Sequence, residues 1–320
     1  MRRVIITGGA GFIGSHLVDS LLKEGYKVAV IDNFDPFYSP EIKRQNIAHH
    51  FGNPNFILIE ADIRDMEALE RSIKEDNDLV VHLAAKAGVR HSLSDPLGYE
   101  GVNIKGTLNL LELCRERGIK KFVFASSSSV YGLNSKVPWR EDDTELKPIS
   151  PYGATKLAGE FLGHVYSQLY GIKFIALRIF TAYGPRQRPD LAIHKFARLM
   201  LEEKPIPIYG DGSRLRDYTY IDDLIMGIRA AMEYEGSFFE LVNLGSGWPI
   251  SLIEVVRGFE EILGIEARME FLPPQPGDPP QTCASLEKAQ RLLGYTPQLS
   301  FKEGLRRFSQ WLKKTLICAC

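Results

Sequence analysis

Residues 3–24 most constrain the fold. Arg3-Val4-Ile5-Ile6-Thr7 is a short β-rich run, Gly8-Gly9-Ala10-Gly11-Phe12-Ile13-Gly14 is a glycine turn, and Leu17, Leu21 and Leu22 then recur at helical spacing through Glu24. A strand that turns tightly into a helix through Gly8, Gly11 and Gly14 brings bare backbone to the helix N-terminus. Free N–H groups and the helix dipole favour an anion there. The spacing is Gly-x-x-Gly-x-x-Gly. A second strand, 27–31, ends in Asp32, 18 residues beyond Gly14. A carboxylate there accepts hydrogen bonds from adenosine ribose hydroxyls and repels a 2′-phosphate, so NAD is expected rather than NADP.

The alternation continues along the chain. Strands are expected at 56–60, 79–85, 122–125 and 174–179, with helices over 66–74, 103–117 and the stretch beginning at Pro151. Such alternation implies right-handed crossovers and a doubly wound parallel sheet of the α/β class. Ligands of these sheets bind at the carboxyl ends of strands. Gly8, Asp32, Asp62, Ala85, Ser127 and Thr181, from six separate segments, all fall there. Beyond Thr181, Pro and Gly become frequent and the helices shorter (194–203, 221–233, 252–263, 286–293 and 301–314). The expected division is a nucleotide-binding domain over 1–180 and a smaller substrate lobe over 181–320, some of whose segments cross back.

Ser150-Pro151-Tyr152-Gly153-Ala154-Thr155-Lys156 reads as a turn entering a helix, since Pro suits the first helical turn. Tyr152 and Lys156 then share one helix face. A neighbouring ammonium makes a phenol easier to ionise, one way to obtain a general base near neutral pH.

Composition excludes several classes. The net charge of −1 offers no whole-chain attraction for nucleic acid or anionic membrane, and no apolar run is long enough to span a bilayer. Trp139, Trp248 and Trp311 are not interleaved with basic residues, so no nucleic-acid platform is expected. Cys114, Cys283, Cys318 and Cys320 lack metal-ligand spacing, so no metal site is expected. The chain opens into a strand without signal-peptide features, and a cytoplasmic protein with reduced thiols is the expectation.

Several motifs in the same order resemble the extended short-chain dehydrogenase/reductases, the nucleotide-sugar epimerases and dehydratases, over nearly the whole length. They are 7–14, Asp62-Ile63, His82-Leu83-Ala84-Ala85, Asn103, 126–132, 152–156 and Arg214-Leu215-Arg216-Asp217-Tyr218. The resemblance implies an NAD site lined by Phe12, Ile13, Asp32, Asn33, Asp62, Ile63, Leu83, Ala84, Ala85, Lys86, Asn103, Tyr152, Lys156 and Phe180. It also implies catalysis by Ser127, Tyr152 and Lys156, and a homodimer built on helices 103–117 and 153–170. Dehydratases of the family carry an Asp-Glu pair where this chain has Ser128 and Ser129, and decarboxylases usually keep a Glu at the second position. Serines supply no acid or base for those reactions at neutral pH, which leaves epimerisation as the better reading, with a net oxidoreductase or sugar synthase as a further alternative.

The stretches 32–38, 87–92, 180–185, 188–190 and 275–278 are similar to those of UDP-glucuronate 4-epimerases. That similarity implies a UDP-sugar substrate held by Val89, Arg90, Ser127, Ser128, Thr181, Arg188, Arg216 and Asp278. Arg188 would lie near a sugar carboxylate and Arg216 near the diphosphate. A UDP-glucose or UDP-N-acetylglucosamine 4-epimerase is the nearest alternative, and a non-catalytic NAD-binding scaffold a more distant one.

Overall fold

The computed structural model describes residues 2–73, 79–274 and 279–317. Its centre is a seven-stranded sheet of β1 (Arg3–Thr7), β2 (Lys27–Asp32), β3 (Phe56–Glu60), β4 (Leu79–His82), β5 (Lys121–Ser127), β6 (Lys173–Ile179) and β10 (Phe239–Leu244), in the order β10-β6-β5-β4-β1-β2-β3. Every pairing is parallel. Short strands β7 (Thr181–Tyr183), β9 (Leu215–Tyr220) and β11 (Pro249–Ser251) form a second sheet, and β8 (Ile206–Tyr209) pairs with β12 (Met269–Leu272). The helices are α1 (Phe12–Lys23), α2 (Pro40–Ala48), α3 (Met66–Ser72), α4 (Val89–Ser94), α5 (Pro96–Glu100), α6 (Gly106–Arg117), α7 (Pro151–Tyr170), α8 (Ala192–Leu201), α9 (Ile221–Glu233), α10 (Leu252–Leu263), α11 (Glu287–Leu293) and α12 (Phe301–Ile317).

The period of two in the strands explains the layering. Val4, Ile6, Val28, Val30, Val81, Val123, Ile175 and Val242 enter one core cluster, with Leu17 and Leu21 of α1 and Leu224 and Ile228 of α9. Ile5, Ile31, Val80, Phe122, Phe124 and Phe174 enter the other, with Leu110 and Leu113 of α6 and Tyr166 of α7. Both sheet faces are therefore buried, as a parallel sheet requires.

The strand β10 lies in the region expected to form the second lobe, yet it completes the central sheet beside β6. The helix expected to start at Asn103 is preceded by a π-helical turn, Gly101–Lys105, before α6 begins. Lys74, the 275–278 stretch with Asp278, and Cys318 and Cys320 lie outside the described residues. Among the described residues no helix is long and apolar enough to cross a membrane.

Candidate active site

The parallel register brings strand ends together: Thr7 is opposite Ile31 and His82, and Ser127 is opposite Ile179. A cleft of about 420 Å³ opens over these ends. It is lined by Gly8, Gly11, Phe12, Ile13, Gly14, Asp32, Asn33, Asp62, Ile63, Leu83, Ala84, Ala85 and Lys86, then by Val89, Ser127, Ser128, Tyr152, Lys156, Phe180, Thr181 and Arg188.

Local packing makes the glycine turn obligatory. Gly8 has φ +71°, and a Cβ there would lie 2.7 Å from the Ala84 nitrogen. A Cβ on Gly14 would fall 2.2 Å from the Gly8 carbonyl oxygen. The α1 N-terminus has no capping side chain and no acidic residue in its first turn, so its N–H end is left to the cleft. That is the chemistry a dinucleotide diphosphate needs. Asp32 is fixed by two backbone donors, Ala10 N–H to Oδ2 at 3.1 Å and Phe34 N–H to Oδ1 at 2.9 Å. Burial pushes its carboxyl up, against the pull of those donors and of Lys43. Asp62 is held at about 2, chiefly by Arg64, and also accepts from Asn33 Nδ2 at 2.9 Å.

Across the cleft, Ser150 caps α7 by accepting from the Gly153 N–H at 3.1 Å, and Pro151 opens its first turn. The helix lies unusually close to the sheet. A Cβ on Gly159 would be 2.4 Å from the Phe124 ring, and one on Gly163 2.2 Å from the Phe174 ring. This approach sets Tyr152 and Lys156 over the end of β5. The Tyr152 hydroxyl shares the cleft with Ser127; burial pushes its phenol up, and Ser127 and the Arg188 guanidinium pull it back. Burial lowers Lys156 to about 7, and its Nζ donates to the Ala125 carbonyl at 2.6 Å. Lys156, the cation expected to favour ionisation of Tyr152, donates here to the β5 backbone, and the guanidinium that lowers the phenol is that of Arg188. Ser127 Oγ accepts from the Ser129 N–H at 3.1 Å.

Three expected residues do not line the cleft. Asn103 braces its wall: Nδ2 donates to the Lys86 carbonyl and to Thr155 Oγ1, both at 3.0 Å, and Oδ1 accepts from the Lys86 N–H at 2.9 Å. With those partners its amide is committed to tying the cofactor strand end to α7. Arg90 is exposed, stacked 4.7 Å over the Tyr209 ring. Arg216 lies on β9, two residues before Tyr218, which pairs with Thr181, and its Nη1 donates to the Leu215 carbonyl at 2.7 Å. His82 is a packed core residue held between Thr7 Oγ1 at 2.7 Å and Thr107 Oγ1 at 2.9 Å, and burial keeps it neutral.

The cleft also includes residues that the motif reading did not assign, among them Phe37, Tyr38, Lys43 and Leu191. Lys43, buried on α2, donates to the Asp35 carbonyl at 2.6 Å and stands 4.5 Å over the Tyr38 ring. Its charge on an otherwise polar helix gives no sign in the sequence that it turns inward.

Comparison with known proteins agrees with this geometry. The chain is 42% identical over 319 residues to a UDP-glucuronate 4-epimerase of Thermodesulfobacterium geofontis, covering 99% of this chain and 98% of that protein. The crystal structure of UDP-glucuronic acid 4-epimerase from Bacillus cereus in complex with UDP-glucuronic acid and NAD superposes with a TM-score of 0.92 at 42% identity, covering 98% of this chain and 99% of that one. UDP-glucose 4-epimerase from Thermotoga maritima with UDP-glucose gives a TM-score of 0.90 at 36% identity, with coverage of 98% and 99%. The model of the NAD dependent epimerase/dehydratase family matches residues 4–245, and the chain belongs to that family.

Proposed function

We propose that the protein interconverts the C4 epimers of a UDP-sugar, UDP-glucuronate and UDP-galacturonate foremost, with NAD as resident cofactor. The observation that carries this is the meeting of Ser127, Tyr152 and Arg188 in one cleft with the glycine turn and Asp32. The α1 N-terminus would hold the diphosphate, Asp32 the adenosine ribose hydroxyls, Asp62 and Ile63 the adenine, and Lys156 the nicotinamide ribose. Bound NAD supplies a hydride acceptor that also gives the hydride back.

Tyr152 takes the proton from the sugar C4 hydroxyl, and Ser127, which lines the same cleft, steadies the same oxygen. Protein alone leaves the phenol above its ordinary value, so ionisation depends on positive charge near the ring. Arg188 supplies part of that charge. Exposure of the opposite face of the keto sugar requires it to turn within the cleft, after which Tyr152 returns the proton. Ser128 and Ser129 provide no acid–base pair for elimination from the 4-keto sugar, which leaves its reduction back to a C4 alcohol.

The homodimer and the cytoplasmic setting also belong to this reading. Phe161, Val165 and Leu169 of α7 and Leu108 of α6 are exposed, Phe161 and Leu169 by more than 60%, on the two helices expected to pair with a second copy. The substrate is tested by incubating the protein separately with UDP-glucuronate, UDP-glucose and UDP-N-acetylglucosamine and resolving the C4 epimers. Conversion of UDP-glucuronate is expected; turnover of UDP-glucose alone contradicts the assignment.

A further inference from the structure

The guanidinium that would meet an acidic sugar already holds a carboxylate. Arg188 Nε donates to Asp190 Oδ1 at 3.0 Å and Nη2 to Oδ2 at 2.8 Å, a bidentate fork, while Nη1 donates to the Ala87 carbonyl at 3.2 Å. Burial pushes the Asp190 carboxyl up, but Arg188 holds it below its usual range, so it is ionised at neutral pH. We propose that Asp190 is an internal competitor for the substrate's acid group: it fills the Arg188 fork until the carboxylate of an acidic sugar exchanges with it. This rests on the UDP-glucuronate reading above and names the residue that tempers affinity for the acidic sugar.

Three observations favour exchange over simple addition. A second carboxylate beside the Arg188–Asp190 pair would set two like charges against one cation in a partly buried cleft, whereas exchange preserves the balance. The two partners are unequally held. Arg188 is 15% exposed and pinned by the Ala87 carbonyl and the Phe37 ring, 4.9 Å from its Cζ. Asp190 is 31% exposed and lies in the turn before α8, free of regular structure. Lastly, the surroundings have spare donors. The buried Tyr99 and Tyr38 hydroxyls have no hydrogen-bond partner among the described residues. A Cβ on Gly88 would stand 3.7 Å from Arg188 Nη2 and 3.8 Å from the Tyr99 hydroxyl, so these groups border the same piece of cleft backbone. Buried orphan donors favour an incoming acceptor. A neutral hydroxymethyl group cannot replace Asp190 as counter-charge, so neutral UDP-hexoses bind without displacing it.

The test compares KM for UDP-glucuronate and UDP-glucose in the wild-type holoenzyme, in Asp190→Asn and in Asp190→Ser. Removing the internal competitor should lower KM for UDP-glucuronate at least fivefold and change KM for UDP-glucose less than twofold. A higher UDP-glucuronate KM, no change, or equal shifts for both sugars overturns the exchange while leaving the substrate reading intact. A wild-type enzyme that turns over only UDP-glucose overturns both. A crystal structure of the wild type with UDP-glucuronate needs no variant: Asp190 should have left the fork, and an intact Arg188–Asp190 pair refutes the proposal.

Discussion

Tyr152 is a half-buried phenol whose neighbours decide whether it can act as a base. Desolvation alone would keep it protonated, and the counteracting groups on the protein are the Ser127 hydroxyl and the Arg188 guanidinium. Lys156, four residues on, is turned to the Ala125 carbonyl instead. Tyr152→Phe removes the proton acceptor without changing the shape of the cleft. It should lower kcat by about 10³-fold, within the range for a lost general base, while the UDP-sugar Kd, measured by calorimetry, stays within threefold. A Phe variant with near wild-type kcat removes Tyr152 from the chemistry. That Tyr152, Lys156 and Ser127 meet in the cleft was legible in the sequence, because helical spacing and strand-end position are local properties. The bracing role of Asn103 was not, since nothing in its neighbourhood along the chain shows that its amide reaches Lys86 and Thr155.

At the scale of elements, the loop between β7 and α8 carries Arg188 and Asp190 and is anchored to α1. His16 Nε2 donates to the Pro185 carbonyl at 2.9 Å, and Arg186 pairs with Asp19 at 2.8 Å, the same carboxylate that receives His49 and His50. Burial lowers His16 to about 4 from an ordinary 6.5. As pH falls below 6.5 the unfolded chain takes up this proton first. His16 therefore costs stability progressively between about pH 6.5 and 4, up to about 3 kcal/mol. Urea midpoints across that range should fall less steeply in His16→Asn, which keeps a donor for Pro185; identical slopes would mean that His16 is not held neutral. This anchorage was invisible in the sequence because its partners are 169 positions apart. The alternation of strands and helices, by contrast, was readable from periodicity, and each predicted strand of the sheet is present.

For the molecule as a whole, the cleft sits where six strands of the parallel sheet end, and the glycine turn, Asp32 and the alternation marked that place from the sequence. Strand β10 was missed: Phe239–Leu244 follows a long excursion through the second half of the chain, and only tertiary packing returns it to β6. The exposed apolar stripe on α6 and α7 leads to a whole-molecule expectation. Wild-type protein should elute as a dimer in light-scattering chromatography, and Phe161→Glu combined with Leu169→Glu should give monomers; a monomeric wild type contradicts this use of the stripe. The central claim, that hydrogen leaves C4 as hydride and returns to the same carbon, is tested most directly with UDP-glucuronate deuterated at C4, incubated without added NAD and followed by NMR. UDP-galacturonate that keeps its deuterium at C4 is the expected product; product carrying solvent hydrogen at C4, or no product at all, would contradict it.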